Sequence, residues 1–194
     1  MRPLSHPRRL GGLAQAGFSL VEVMIVLGVL GIVMGISVIT IASSRAALKG
    51  DGAMRVVLAQ MNSAREQAIT QRRNMRLTFT ATNSVQIIRE EVPGPALTTI
   101  SSVPFEGGLQ FLTVTGLPDT PDAFGNSTAI AFGVATEVKF GPGGTLVDQD
   151  GNTLNGTVFV ALANQNLSDR AVTILGSTGP VRAYRWDGAT WEVL

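Results

Sequence analysis

Residues 23–44 read VMIVLGVLGIVMGISVITIASS, 22 positions without one charged side chain. As a helix rising about 1.5 Å per residue, the stretch would span roughly 33 Å, close to the hydrocarbon thickness of a bilayer. A buried helix of a water-soluble core would be shorter and would carry a polar stripe, which this one lacks. Gly28, Gly31 and Gly35 weaken a helix in water, but among lipid-embedded helices they permit close backbone approach. The segment reads as a membrane-inserted helix.

Its flanks set its direction. Arg2, Arg8 and Arg9, with His6 among them, precede the stretch, and the next base is Arg45. This asymmetry places the N-terminus in the cytoplasm and the C-terminal region across the membrane. An ordinary secretory signal has an apolar run of about 7–15 residues followed by small residues at a cleavage site. Here Ala14, Ala16 and Gly17 come first and the apolar run is longer, so the order is reversed.

Glu22 opens the apolar block. An ionised carboxylate costs roughly 2.5–3.5 kcal/mol at mid-membrane on insertion scales, and less near the interface. It can snorkel to the headgroups, or it can have a cationic partner. Cleavage between Gly17 and Phe18 would supply one, because the new α-amine of Phe18 would lie four residues from Glu22. That amine could come from the same subunit or from a neighbour.

Gly17-Phe18-Ser19-Leu20-Val21-Glu22, ahead of an unbroken apolar helix, resembles the class III signal of type IV pilins and type II secretion pseudopilins. The resemblance implies that a prepilin peptidase cuts after Gly17 and N-methylates Phe18, and that Glu22 pairs with the terminal amine during assembly. It also implies the partners: other pilin or pseudopilin subunits, an inner-membrane assembly platform and the lipid bilayer. The 17-residue leader is longer than the commonest ones. Ile39 stands where many major pilins have a helix-bending proline, which points towards a minor subunit.

Beyond the apolar block, residues 46–73 continue as helix. Met54, Val57, Leu58, Met61, Ala64, Ala68 and Ile69 recur at three- and four-residue spacing and form one apolar face. Gly50-Asp51-Gly52 is expected to bend or weaken that helix. Strands are expected over 75–81, 85–89, 108–114, 129–134, 137–140, 157–162, 171–176, 181–186 and 190–194, completing a sheet. Pro93, Pro95 and Pro104 mark an irregular connection, 117–127 a loop, and Gly141-Pro142-Gly143-Gly144 and Asp150-Gly151-Asn152 turns. The fold class is thus α+β: a long N-terminal helix, membrane-inserted in its first half, packed on a C-terminal antiparallel sheet domain. The organisation is a leader 1–17, a membrane and assembly helix 18–44, an amphipathic helix 45–74 and a β-rich periplasmic or extracellular domain 75–194.

Val138 to Leu146, Gly156 to Val160, Arg170 to Ile174 and Gly179 to Arg182 look like the GspH/FimT type of minor pseudopilin. The FimT side of that resemblance implies an alternative, DNA binding for natural transformation. Arg182 and Arg185 would then meet phosphates while Tyr184 or Trp186 stacks on bases. Alternation along a strand accounts for the same pattern, and Gly179-Pro180 replaces the usual Gly-Arg pair. The resemblance leaves secretion, pilus and competence systems open.

Catalytic chemistry finds no support. The chain has no cysteine and its one histidine, His6, falls in the leader, so the 18–194 chain offers neither a thiol nor an imidazole. Asp148, Asp150 and Asn152 imitate the opening of a calcium loop, but Thr153 stands where glycine is needed and Phe159 where a bidentate acid belongs. A hairpin turn explains them better, and no cofactor or metal is expected. Glu90-Glu91 reads as a solvated strand end.

Overall fold

The computed structural model describes residues 18–194 except 81 and 136; the expected leader, 1–17 with Gly17 as its last residue, lies outside the described residues. The chain divides into two compact units, Met1–Ile41 and Ala42–Leu194. One helix, α1 (Leu20–Gln71), contributes to both. It begins where Ser19 accepts the Glu22 amide on its hydroxyl at 3.2 Å and the Val23 amide on its carbonyl at 3.2 Å. The first bond occupies a donor that a helix start leaves orphaned, and the second is the first regular bond of the helix. It ends where Arg72 turns left-handed (φ 51°) and the Arg73 amide reaches back to the Ala68 carbonyl, a closure more often built on glycine.

In the second unit, Ala46, Ala53, Met54, Val57, Met61, Ala64 and Ala68 of α1 are buried. Ile69, expected on that face, is exposed. Among the described residues, eleven strands follow in two antiparallel sheets rather than one. The first has the order β3 (Leu97–Pro104), β2 (Ser84–Glu90), β1 (Met75–Thr80), β6 (Val138–Phe140), β7 (Leu146–Val147). The second has the order β11 (Trp191–Val193), β10 (Val181–Trp186), β9 (Gln165–Ile174), β8 (Gly156–Leu162), β4 (Gln110–Phe111), and β5 (Ile130–Ala131) also pairs with β8. Leu77, Val85 and Ile87 from the first sheet and Val158, Val172, Ile174 and Ala183 from the second share one core with α1. The sheets meet where Gly176 accepts the Leu146 amide at 2.9 Å. A side chain on Gly176 would run into the backbone carbonyls of Leu154 and Leu146.

Several expectations need correction. Gly50-Asp51-Gly52 does not interrupt α1, which is continuous through it. Gly50 is there for contact, since a Cβ would strike the backbone of Ser168 in β9, whereas Gly52 faces open space. Asp51 pairs with Arg170 of β9 at 2.6 Å. The guanidinium of Arg170 is fully buried and also donates to the carbonyls of Ala47, Leu167 and Asp169 at 2.8–3.0 Å. The irregular stretch around Pro93 and Pro95 stops sooner than expected, and Leu97–Pro104 is an edge strand that Pro104 closes. Its Thr, Ile and Val content suits a strand, but its exposed apolar residues hide the usual alternation. Strand β9 starts at Gln165 rather than at 171, while 108–114 and 129–134 shrink to two-residue strands. Glu90 is no solvated end: it lies 3.0 Å from Arg76 and 3.7 Å from Lys139, and Asn74 donates to it at 2.8 Å. Partial burial raises its pKa, but these partners outweigh that and hold it below the usual carboxylate value. At the 148–152 turn, Asp148 accepts the amides of Asp150 and Asn152 at 2.9 and 2.8 Å, an Asx-type turn.

The outer face of the second sheet has its own small core of Phe159, Ala171, Tyr184, Trp186 and Trp191. The 112–129 segment is fastened here. Trp191 Nε1 donates to the Pro118 carbonyl at 2.9 Å, and Asp122 accepts Thr173, Tyr184 and Arg182 at 2.6, 2.9 and 2.6 Å. Burial pushes the Asp122 pKa up, but these three donors bring it below its ordinary value.

Asp169 is 2% exposed, and neither carboxylate oxygen has a hydrogen-bond partner among the described residues. Burial raises its pKa to about 7, against the opposing charge of Arg170. The folded state therefore holds a proton that the unfolded chain, with a value near 3.9, releases. Stability from this group is complete below about pH 4 and is lost as pH rises through 7. Thermal unfolding of the full chain in detergent is expected to fall by roughly 5 °C from pH 5 to pH 8, about 2 kcal/mol. The Asp169→Asn variant should show a flat profile across the same interval; an equal slope in the variant would contradict this account.

Candidate processing and assembly site

The site is the start of α1. Phe18 is exposed and precedes the capping residue Ser19. Glu22 is the third residue of the helix, where the positive end of the helix dipole favours a carboxylate. Ser19 and Glu22 are spaced as in a capping box, S-x-x-E. The sequence reading missed this local role for Glu22, although the spacing was visible. The same carboxylate can stabilise the helix start and meet a charge from outside.

From Glu22 to Ser37 the helix offers apolar surface without cover among the described residues. Leu20–Ser37 has a mean hydropathy of 2.5, and none of it is buried. Length and composition suffice for a membrane span. Gly28, Gly31 and Gly35 have nothing within 4 Å of where a Cβ would stand, and at 100° per residue they share an arc of about 60°. Ser37 donates its hydroxyl to the Val33 carbonyl at 2.8 Å, so its polar group is satisfied within the helix.

Arg182 and Arg185 are three residues apart on β10, so their side chains leave opposite faces of the sheet. Arg182 shares the outer face with Tyr184; it is 60% exposed and pairs with Asp122 at 2.6 Å. Arg185 shares the other face with the cross-strand residues Arg170 and Glu192, and it binds Glu192 at 2.6 Å. Trp186 is buried in the outer-face cluster. The strand does not bring the two arginines into one phosphate-binding patch, and each guanidinium already has a carboxylate.

No curated protein and no solved structure matches this chain. One family model does. Residues 13–38 match the prokaryotic N-terminal methylation motif, covering the Gly17–Phe18 junction, Glu22 and most of the apolar segment. With an α+β fold behind it, this motif supports a type IV pilin-like precursor and indicates a structural subunit rather than an enzyme.

Proposed function

We propose that the chain is a minor pseudopilin or pilin subunit of the GspH/FimT type. A prepilin peptidase cuts it between Gly17 and Phe18 and methylates the new amine. The helix from Phe18 then enters a type II secretion pseudopilus or type IV pilus, and the β-rich unit is displayed on the periplasmic side. The observation that carries this reading is the methylation motif on a helix whose apolar residues over Leu20–Ser37 have no cover among the described residues. In lipid the acyl chains supply that cover; in a filament, neighbouring helices would do so through close packing at small residues. Glu22 would set the register by meeting a Phe18 amine, which lowers the cost of taking its charge out of water.

Two substitutions separate this pairing from helix capping. Glu22→Val removes both the charge and the cap, whereas Glu22→Gln keeps a capping-box side chain and removes only the charge. Both variants should stay in the membrane and be cleaved, and both should enter sheared filaments at least tenfold less than the unaltered chain. Normal incorporation of Glu22→Gln would contradict the charge-pairing mechanism.

A further inference from the structure

The first sheet ends on a long strand without charge. β3 has β2 on one side and no strand partner on the other among the described residues. At eight residues it is far longer than the other edge strands β4, β7 and β11, which have two, two and three. Natural sheets protect such an edge with lysine, inward charge, proline or a bulge. LTTISSVP contains no charge, and its proline is the last residue. The edge has one bulge: Ile87 faces Ser101 and Ile88 faces Thr99, which leaves Ile100 unpaired. That bulge presents an aliphatic side chain, 37% exposed, with Leu97 at 51% beside it.

The residue pattern names the occupant. Read outward from Ile100, the strand is a palindrome in chemical type. Thr99 mirrors Ser101, Thr98 mirrors Ser102, and Leu97 mirrors Val103. Two copies laid antiparallel about a two-fold axis at Ile100 would set hydroxyl against hydroxyl, aliphatic against aliphatic, and Ile100 against Ile100. Such cross-strand pairs are favourable, and an uncharged strand brings no like-charge repulsion against its own copy. A two-fold contact requires a self-complementary patch of this kind. We infer that β3 is a self-association edge, on which a second copy of this chain adds its own β3 and continues the sheet.

A seven-residue strand pair buries less than the roughly 1,200 Å² typical of stable complexes. The contact is therefore weak for free molecules and depends on both copies being confined to one membrane, which raises their effective concentration. Thr98 already donates to Glu91, and Ser102 accepts from Gln86 with the Ser84 hydroxyl 3.5 Å away to take its own proton, so both hydroxyls have partners on their own sheet.

The chain has no cysteine, which makes single-cysteine cross-linking of the full-length protein in its membrane direct. Directly opposed antiparallel residues have Cα atoms about 4.5–5.5 Å apart, within disulfide reach. Ile100→Cys should give a disulfide dimer under mild oxidation, at least fivefold above Val134→Cys, an exposed loop residue. Thr98→Cys and Ser102→Cys should each cross-link poorly alone, since like residues would lie about 13 Å apart, and well when the two variants are co-expressed. Adding Thr99→Lys to Ile100→Cys should abolish the dimer. Cross-linking of Ile100→Cys no better than Val134→Cys, or Thr98→Cys cross-linking alone as well as in the mixture, would overturn the inference. The cross-link needs no removal of residues 1–17, so its failure leaves the pilin-like reading untouched.

Discussion

Asp51→Ala lowers the melting temperature of the full-length protein by about 10 °C, a loss of roughly 3 kcal/mol. The loss arises less from the ion pair than from what its removal leaves behind. Arg170 is fully buried, and Asp51 is its only acidic partner among the described residues. Without Asp51 the guanidinium keeps three carbonyl acceptors but no acid in direct contact, because Asp169, which feels its charge, makes no hydrogen bond to it. A buried cation in that state is strongly destabilising, whereas replacing both members of the pair with apolar residues of similar volume is often tolerated. The double variant Asp51→Leu/Arg170→Met should therefore cost less than Asp51→Ala. The reverse order in thermal or urea unfolding would show that the pair itself supplies the stability.

Gly50→Ala is the second large effect, and its sign separates two physical accounts. Helix propensity alone gives alanine an advantage of about 1 kcal/mol over an interior glycine. Packing says the opposite here, because the added Cβ meets the backbone of Ser168, which cannot swing aside as a side chain would. Overpacking of this kind costs about 1–3 kcal/mol or more, so a net loss near 2 kcal/mol is expected. Two residues on, Gly52 has nothing within 4 Å, and Gly52→Ala should gain about 0.5–1 kcal/mol. If both substitutions stabilise the protein, the close approach of α1 to β9 is not as described.

These two residues also mark where sequence reading stops. The apolar helix was legible because its signal is local: 22 uncharged residues, a preceding basic cluster and one acid at a fixed offset from Gly17-Phe18. The amphipathic continuation was legible for the same reason, through its three- and four-residue spacing. Gly50-Asp51-Gly52 read as a bend because interior glycines destabilise helices, and the compensating contacts come from Ser168 and Arg170, more than 110 positions away in the chain. Nothing local reports such partners. Strand positions followed from β-branched runs and turn residues, but their division into two sheets depends on the approach of backbones at Gly176. The 117–127 stretch was recognisable as a loop; that Asp122 ties it to Thr173, Tyr184 and Arg182 was not. Arg182 and Arg185 looked like a cluster in one dimension, and the two-residue period of a strand separates them.

At the N-terminus the balance differs, since the candidate site is almost wholly local. The capping role of Glu22 follows from its offset to Ser19, and its proposed assembly role from its offset to Phe18. Mass spectrometry of the N-terminus of the mature protein, purified from its native host, tests that reading most directly. The account predicts a chain beginning at an N-methylated Phe18, without residues 1–17. A mature protein that still carries Met1 through Gly17, or begins at any other residue, would contradict it.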